Sequence, residues 1–183
     1  AQRAARLNEQ SEFVHFVLSY IYMFCDSDLD AAEDEARRAL ELNPYYSLAM
    51  WQLGTVLMHR GRGEEGIELS LKAIEANPRA PINHRVLWIV ALGQFALGQY
   101  EAAIQWAKRS DKQVPDLPMT LTILTTSAAH ADQLDEMACA AARLRAKYPD
   151  FVTGDLMRWP FEDGAIWDRF VEGLRKAGLD DTD

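Results

Sequence analysis

Two stretches and two residue types in this chain could carry chemistry. Gly61-Arg62-Gly63-Glu64-Glu65-Gly66 has the glycine spacing of a dinucleotide loop. That chemistry needs a strand before the loop and a helix N-terminus facing a pyrophosphate. Here a helical apolar pattern precedes the loop, and Glu64 and Glu65 stand where phosphate would lie. The stretch is therefore expected to be a turn. Asp26-Ser27-Asp28-Leu29-Asp30 imitates the start of a calcium loop, which must continue with glycine and end on a bidentate glutamate at its twelfth position. The chain offers Ala31 and Arg37 instead, so a solvated turn leading into an acidic helix start is expected. His15, His59, His84 and His130 are scattered, with no partner at metal-ligand spacing. Cys25 and Cys139 stand at no motif spacing and read as free, buried thiols, which fits a reducing cytoplasm. No serine or cysteine lies in a nucleophile motif. The expectation is a chain without catalytic residues, cofactor or metal.

The elements that would position such residues are helices. In Ser47 to Ala80, Met50, Leu53, Leu57 and Met58 recur at three- and four-residue spacings, one face of a helix with Gly54 on it. Gly61-Arg62-Gly63 breaks the pattern. A second helix starts at Glu64 and Glu65, where carboxylates suit the dipole, and carries Ile67, Leu71, Ala73 and Ile74 inward. Asn77-Pro78 stops it, since a residue before proline is pushed out of the helical region. Neither helix can bury its face alone, so the unit calls for stacked copies. Pro44, Pro78, Pro115 and Pro149 close successive units at intervals of 34, 37 and 34 residues.

A period near 34 residues with two helices per unit is the tetratricopeptide signature. Leu53-Gly54, Gly61, Ala73 and Asn77-Pro78 resemble that family's pattern. The expected fold is all-α: a right-handed superhelix of about four helix-turn-helix units (8–44, 47–78, 81–115, 118–149) and a C-terminal cap over 150–183. The opening helix is expected over Asn8 to Phe24, with Phe13, Phe16, Val17, Tyr20 and Met23 in its seam. Leu29 to Leu42 follows, lined by Ala32, Ala36, Ala39 and Leu40. The third unit turns at Gly98-Gln99-Tyr100, and Ala103, Ile104 and Ala107 face inward. Its three extra residues fall in the Arg79 to Asn83 link or in a longer first helix. The fourth is lined by Leu121, Leu124, Ala128, Ala138, Ala141 and Leu144. In the cap, Asp150 to Arg158 is expected as a short helix, Trp159-Pro160-Phe161 as a break, and Asp163 to Ala177 as a last helix with Trp167, Phe170 and Leu174 inward.

The ending adds a narrower resemblance. Pro160-Phe161, Asp163 and Gly173-Leu174-Arg175-Lys176-Ala177-Gly178-Leu179 look like the end of the tetratricopeptide region that follows the catalytic domain in many bacterial adenylate/guanylate cyclases. The resemblance implies a non-catalytic, regulatory C-terminal part of a larger protein. Nothing in the chain matches a cyclase catalytic domain.

In the family, first helices line a concave face that binds peptides or proteins. Carried onto this sequence, the groove is Leu48, Trp51, Thr55, Met58 and His59, then Arg85, Trp88, Leu92 and Phe95, then Met119, Thr122, Thr126 and His130. It is apolar and aromatic, and almost devoid of the lysines and asparagines with which chaperone-binding relatives clamp a terminal carboxylate. Exposed patches of this kind mark contact sites, with Trp and Tyr as anchors. If they do so here, Trp51 and Trp88 should be partly exposed. The alternatives are that both indoles pack between helices, or that the chain's own tail fills the groove.

The totals narrow the partner. With 183 residues, 49% hydrophobic and 26% charged, the chain can bury a core. A formal charge of −9 repels phosphate backbones, which argues against nucleic acid. No apolar run approaches the roughly 20 residues that cross a bilayer. The expected partner is a protein or peptide, or another domain of the same protein, in the cytoplasm. A homodimer formed through the repeats is the structural alternative, and a nucleotide- or metal-binding enzyme domain the rival from another class. Ala1 in place of methionine suggests an excised piece of a longer protein.

Overall fold

The computed structural model describes residues 10–150 and 162–179. Among them, nine helices run in chain order: α1 (Glu12–Ile21), α2 (Leu29–Leu42), α3 (Ser47–His59), α4 (Gly63–Ala76), α5 (Asn83–Ala96), α6 (Tyr100–Gln113), α7 (Pro118–His130), α8 (Leu134–Lys147) and α9 (Gly164–Lys176). The first eight form four antiparallel pairs, α1–α2 to α7–α8, that stack as an α-α solenoid. From the second pair on, each first helix packs chiefly on its own second helix and next on the second helix before it.

Each pair turns on one residue in the left-handed region: Ser27, Gly61, Gly98 and Asp132, with φ between 54° and 74°. In three of them the next N–H reaches back six residues counted inclusively, Arg62 to Leu57 O, Gln99 to Gln94 O and Gln133 to Ala128 O. This is the Schellman closure, which satisfies a carbonyl that the helix end leaves open. Of the dinucleotide-like glycines, Gly61 makes the turn, while Gly63 and Gly66 lie in the first turn of α4. Asp28, in the calcium-like stretch, caps α2 by accepting from Ala31 N at 3.0 Å.

The spare residues of the third unit divide between both expected places. The α4–α5 link is six residues against four in the α2–α3 and α6–α7 links, and α5 is 14 residues against 13 in α3 and α7. Small residues set the pair spacing. A Cβ on Gly54 would meet Ser70 Oγ at 2.6 Å and Gly66 O at 3.0 Å, and Ala73 is buried beside them.

Four expectations need correction. In α1 the buried residues are His15, Leu18 and Ser19; of the expected seam Met23 is buried and Phe16 packs against the core, but Phe13 and Tyr20 are 57% and 38% exposed. That helix is apolar nearly all round, so spacing alone did not single out its inner face. Ser19 fits there because its hydroxyl donates to Ala32 O at 2.7 Å. The helix also ends earlier, at Ile21, and continues as a π-helical turn over Tyr22–Asp26. In α8, Ala138 faces solvent and Ala140 takes the inner place with Ala141 and Leu144. Both cysteines are free but exposed, because each lies on the outer side of its turn or helix. The helix expected over Asp150 to Arg158 and the break at Trp159-Pro160-Phe161 lie outside the described residues, Asp150 excepted.

Candidate protein-interaction groove

The last helix does not extend the stack. A further first helix would pack against α8, as α7 does against α6. Instead α9 packs on α7, across the inner wall made by the first helices. Asp163 caps its start by accepting from Ala165 N at 2.9 Å. Gly178, at φ 68°, closes its end with Leu179 N donating to Leu174 O. Burial of Ile166, Phe170 and Leu174 supplies the driving force.

The seat of α9 is specific. Gly173 lies on the backbone of α7: a Cβ there would stand 2.9 Å from Thr126 Cα and 3.1 Å from Thr126 O. Phe170 meets Phe95 of α5 edge to face at 5.8 Å between centroids, and Trp167 stacks on Phe170. His130 stacks on Tyr100 at 4.9 Å, and its Nε2 lies 2.6 Å from Arg169 O, which acts as acceptor. The Arg169 guanidinium reaches Ala96 O at 2.8 Å. Arg145 of α8 donates to Ala177 O and Gly178 O, tying down the end of the helix. At the other end, Glu162 N donates to His59 O at 2.9 Å, and its carboxylate is 3.8 Å from Arg60. Residues 162–179 therefore touch the second, third and fourth pairs.

The expected groove residues do not share one surface. Phe95, Thr126 and His130 are brought together under α9. Trp51, Thr55 and Leu48 lie toward the first pair, where the Trp51 ring is 6.3 Å from Phe16. Met58 points between pairs, beneath Gly66 and Gly93. Trp88 donates Nε1–H to Met119 O at 3.0 Å, bridging α5 and α7. Thr55, Thr122 and Thr126 turn their hydroxyls to carbonyls one helical turn back, Trp51 O, Pro118 O and Thr122 O. Leu92 and His59 are buried, and Leu48, Arg85 and Met119 are half-buried. The partial exposure expected of the two indoles does not hold: Trp51 and Trp88 are 5% and 7% exposed. Sequence reasoning had no signal for the seat of α9 except Gly173, a glycine inside an amphipathic helix.

Burial holds the His59 pKa down to about 3, so the ring stays neutral. The charged centre of this end is Glu33 of α2. Burial raises its pKa, but hydrogen bonds and charges from Arg37 and Arg62 outweigh that, and the net shift is downward. Arg60 also reaches Glu33, at 3.1 Å, and Asp30, at 2.7 Å. Among the described residues, no three His, Cys, Asp or Glu gather to hold a metal. No helix among them is long and apolar enough to cross a membrane.

Solved structures share this architecture. PilW, a widely conserved type IV pilus biogenesis factor, superposes with a TM-score of 0.77 at 21% identity, over 97% of this chain and 77% of its own. YrrB, a TPR protein with an unusual peptide-binding site, gives 0.64 at 17% identity, over 96% of this chain and 89% of its own. The fold is the tetratricopeptide-repeat solenoid. PilF of Pseudomonas aeruginosa has it too, with a TM-score of 0.72 at 16% identity over 96% of this chain and 80% of its own. Neither a protein-family model nor a curated protein matches the chain. In this fold the first helices make one wall of the stack, and α9 packs on α7 across it.

Proposed function

We propose that this chain is a protein-interaction module whose concave groove takes an amphipathic helix, and that α9 is its resident stand-in. The observation that carries this reading is the fit of Gly173 on Thr126 with Phe170 on Phe95, a helix seated in a groove. A partner helix with a bulky aromatic, then a small residue three positions later, would present the same face. On displacement of α9, the wall it covers around Phe95, Thr126 and His130 becomes available, and Leu48, Arg85 and Met119 are the half-buried residues of the expected groove that could extend it. YrrB, by its description a peptide binder, supports this class of role without supplying a ligand.

The likeness of the ending to bacterial adenylate/guanylate cyclases adds a setting to the proposal: a regulatory module on the C-terminal side of a catalytic domain. In that setting another domain of the same protein would compete with α9.

The test is Gly173→Leu in the full chain, titrated with a fluorescent peptide of residues 162–179. The variant should bind the peptide at least about tenfold more tightly than the parent chain, whose groove is filled. Equal, weak binding by both chains, with helicity intact, would sink the reading.

A further inference from the structure

The repeats differ on the outer side, between second helices. Between α6 and α8 the gap is closed by an ionic clamp. Arg143, the tenth residue of α8, donates to both oxygens of Asp111 at 2.9 and 2.7 Å and to Asp116 at 2.8 Å. Asp111 is the twelfth residue of α6, and Asp116 follows Pro115. One repeat earlier the arginine is present and the acids are absent. Arg109 is the tenth residue of α6, but the twelfth residue of α4 is Ile74, and Arg79 follows Pro78.

The consequence is an open cavity of about 660 Å³ between α4 and α6, under the long α4–α5 link. Leu71, Ile74, Leu87 and Trp106 give it apolar walls, and Arg109 and Lys112 stand among its lining residues. The Arg109 guanidinium lies over the Trp106 ring at 4.3 Å. Neither cation makes an ion pair with any described residue, although Glu75 shares the lining, whereas Lys108 on the same helix pairs with Glu136. Asn83 holds the link in place by donating to Asn77 O and Pro78 O, both at 3.0 Å.

We propose that this cavity is a second docking site, on the outer face, for a linear protein segment that carries an Asp or Glu beside a bulky apolar side chain. The incoming carboxylate would do for Arg109 what Asp111 and Asp116 do for Arg143, a bidentate pairing that guanidinium geometry favours. Lys112 adds charge, and the apolar neighbour fills the space against Ile74 and Trp106. In a chain of net charge −9, two cations without an ion pair that line one cavity suit an acidic segment by charge. The site is independent of α9 and of the concave groove.

The isotope-labelled full chain would be titrated with the capped pentapeptide Ala-Glu-Leu-Phe-Ala, followed by the Trp106 indole N–H resonance. The same peptide with Gln for Glu, and sodium acetate alone, are the controls. A saturable shift is expected with the Glu peptide, weaker by about tenfold or more with the Gln twin and in Arg109→Gln. Equal binding of the Gln twin, or acetate saturating the shift at the peptide's own concentration, would overturn the proposal.

Discussion

At Gly54 a single hydrogen sets the distance between two helices. A leucine there would gain about 1 kcal/mol of helix propensity over glycine. It would also meet the Gly66 carbonyl, a backbone atom that cannot swing aside. Overpacking costs about 1–3 kcal/mol, and the rigid neighbour puts this site at the upper end. Gly54→Leu should therefore lower unfolding free energy by about 2 kcal/mol in urea titration. His59 makes a second residue-scale prediction. Its folded pKa of about 3 lies below the ordinary 6.5. Below pH 6.5 the unfolded chain binds a proton that the folded chain refuses, so stability falls as pH drops. The slope is about 1.4 kcal/mol per pH unit, or about 2–3 kcal/mol between pH 6.5 and 4.5. His59→Leu should flatten the upper part of that profile, between pH 6.5 and about 5.5, read as urea midpoints across pH.

At the scale of elements, the helices were legible because their punctuation is local. Asn77-Pro78 and Gly61 act through φ and ψ, and α2 runs over Leu29–Leu42 as its apolar spacing and acidic start indicate. What local pattern could not give is which way an all-round apolar helix turns. Helix α1 hides Ser19 and shows Phe13, because its inner face is chosen by the shape of α2 and α3. The exposure of the two indoles was misjudged for the same reason. Trp51 and Trp88 sit at equivalent places one repeat apart, as read, but the neighbours that cover them come from other parts of the fold. Contacts between second helices follow the same logic and can be tested singly. Arg143→Gln leaves Asp111 without its cation and Asp116 with only Lys147, at 3.9 Å, and a part-buried acceptor stripped of its partner costs about 1–3 kcal/mol. The urea midpoint should drop accordingly, while Arg109→Gln, which breaks no ion pair, should leave it nearly unchanged.

At the scale of the molecule, the segment 162–179 changes what kind of object the solenoid is. In a plain repeat stack each unit contacts only its neighbours, and stability is a sum of unit and interface terms. Here one segment spans three units: Glu162 binds His59 O in the second, Arg169 and Phe170 reach Ala96 and Phe95 in the third, and Gly173 sits on Thr126 in the fourth. It couples units that do not adjoin, so the second unit cannot open without loosening a helix held by the fourth. The full chain should accordingly unfold in one cooperative step. Gly173→Leu, which lifts α9 from Thr126, should remove that coupling while leaving each nearest-neighbour interface in place. Amide exchange then distinguishes the two cases. In the parent chain, α3, α5 and α7 should exchange at similar, slow rates set by global unfolding. In the variant, α3 should exchange faster than α5, and the urea transition should broaden. A variant whose three first helices keep one common rate would mean that α9 rides on the stack without joining its units.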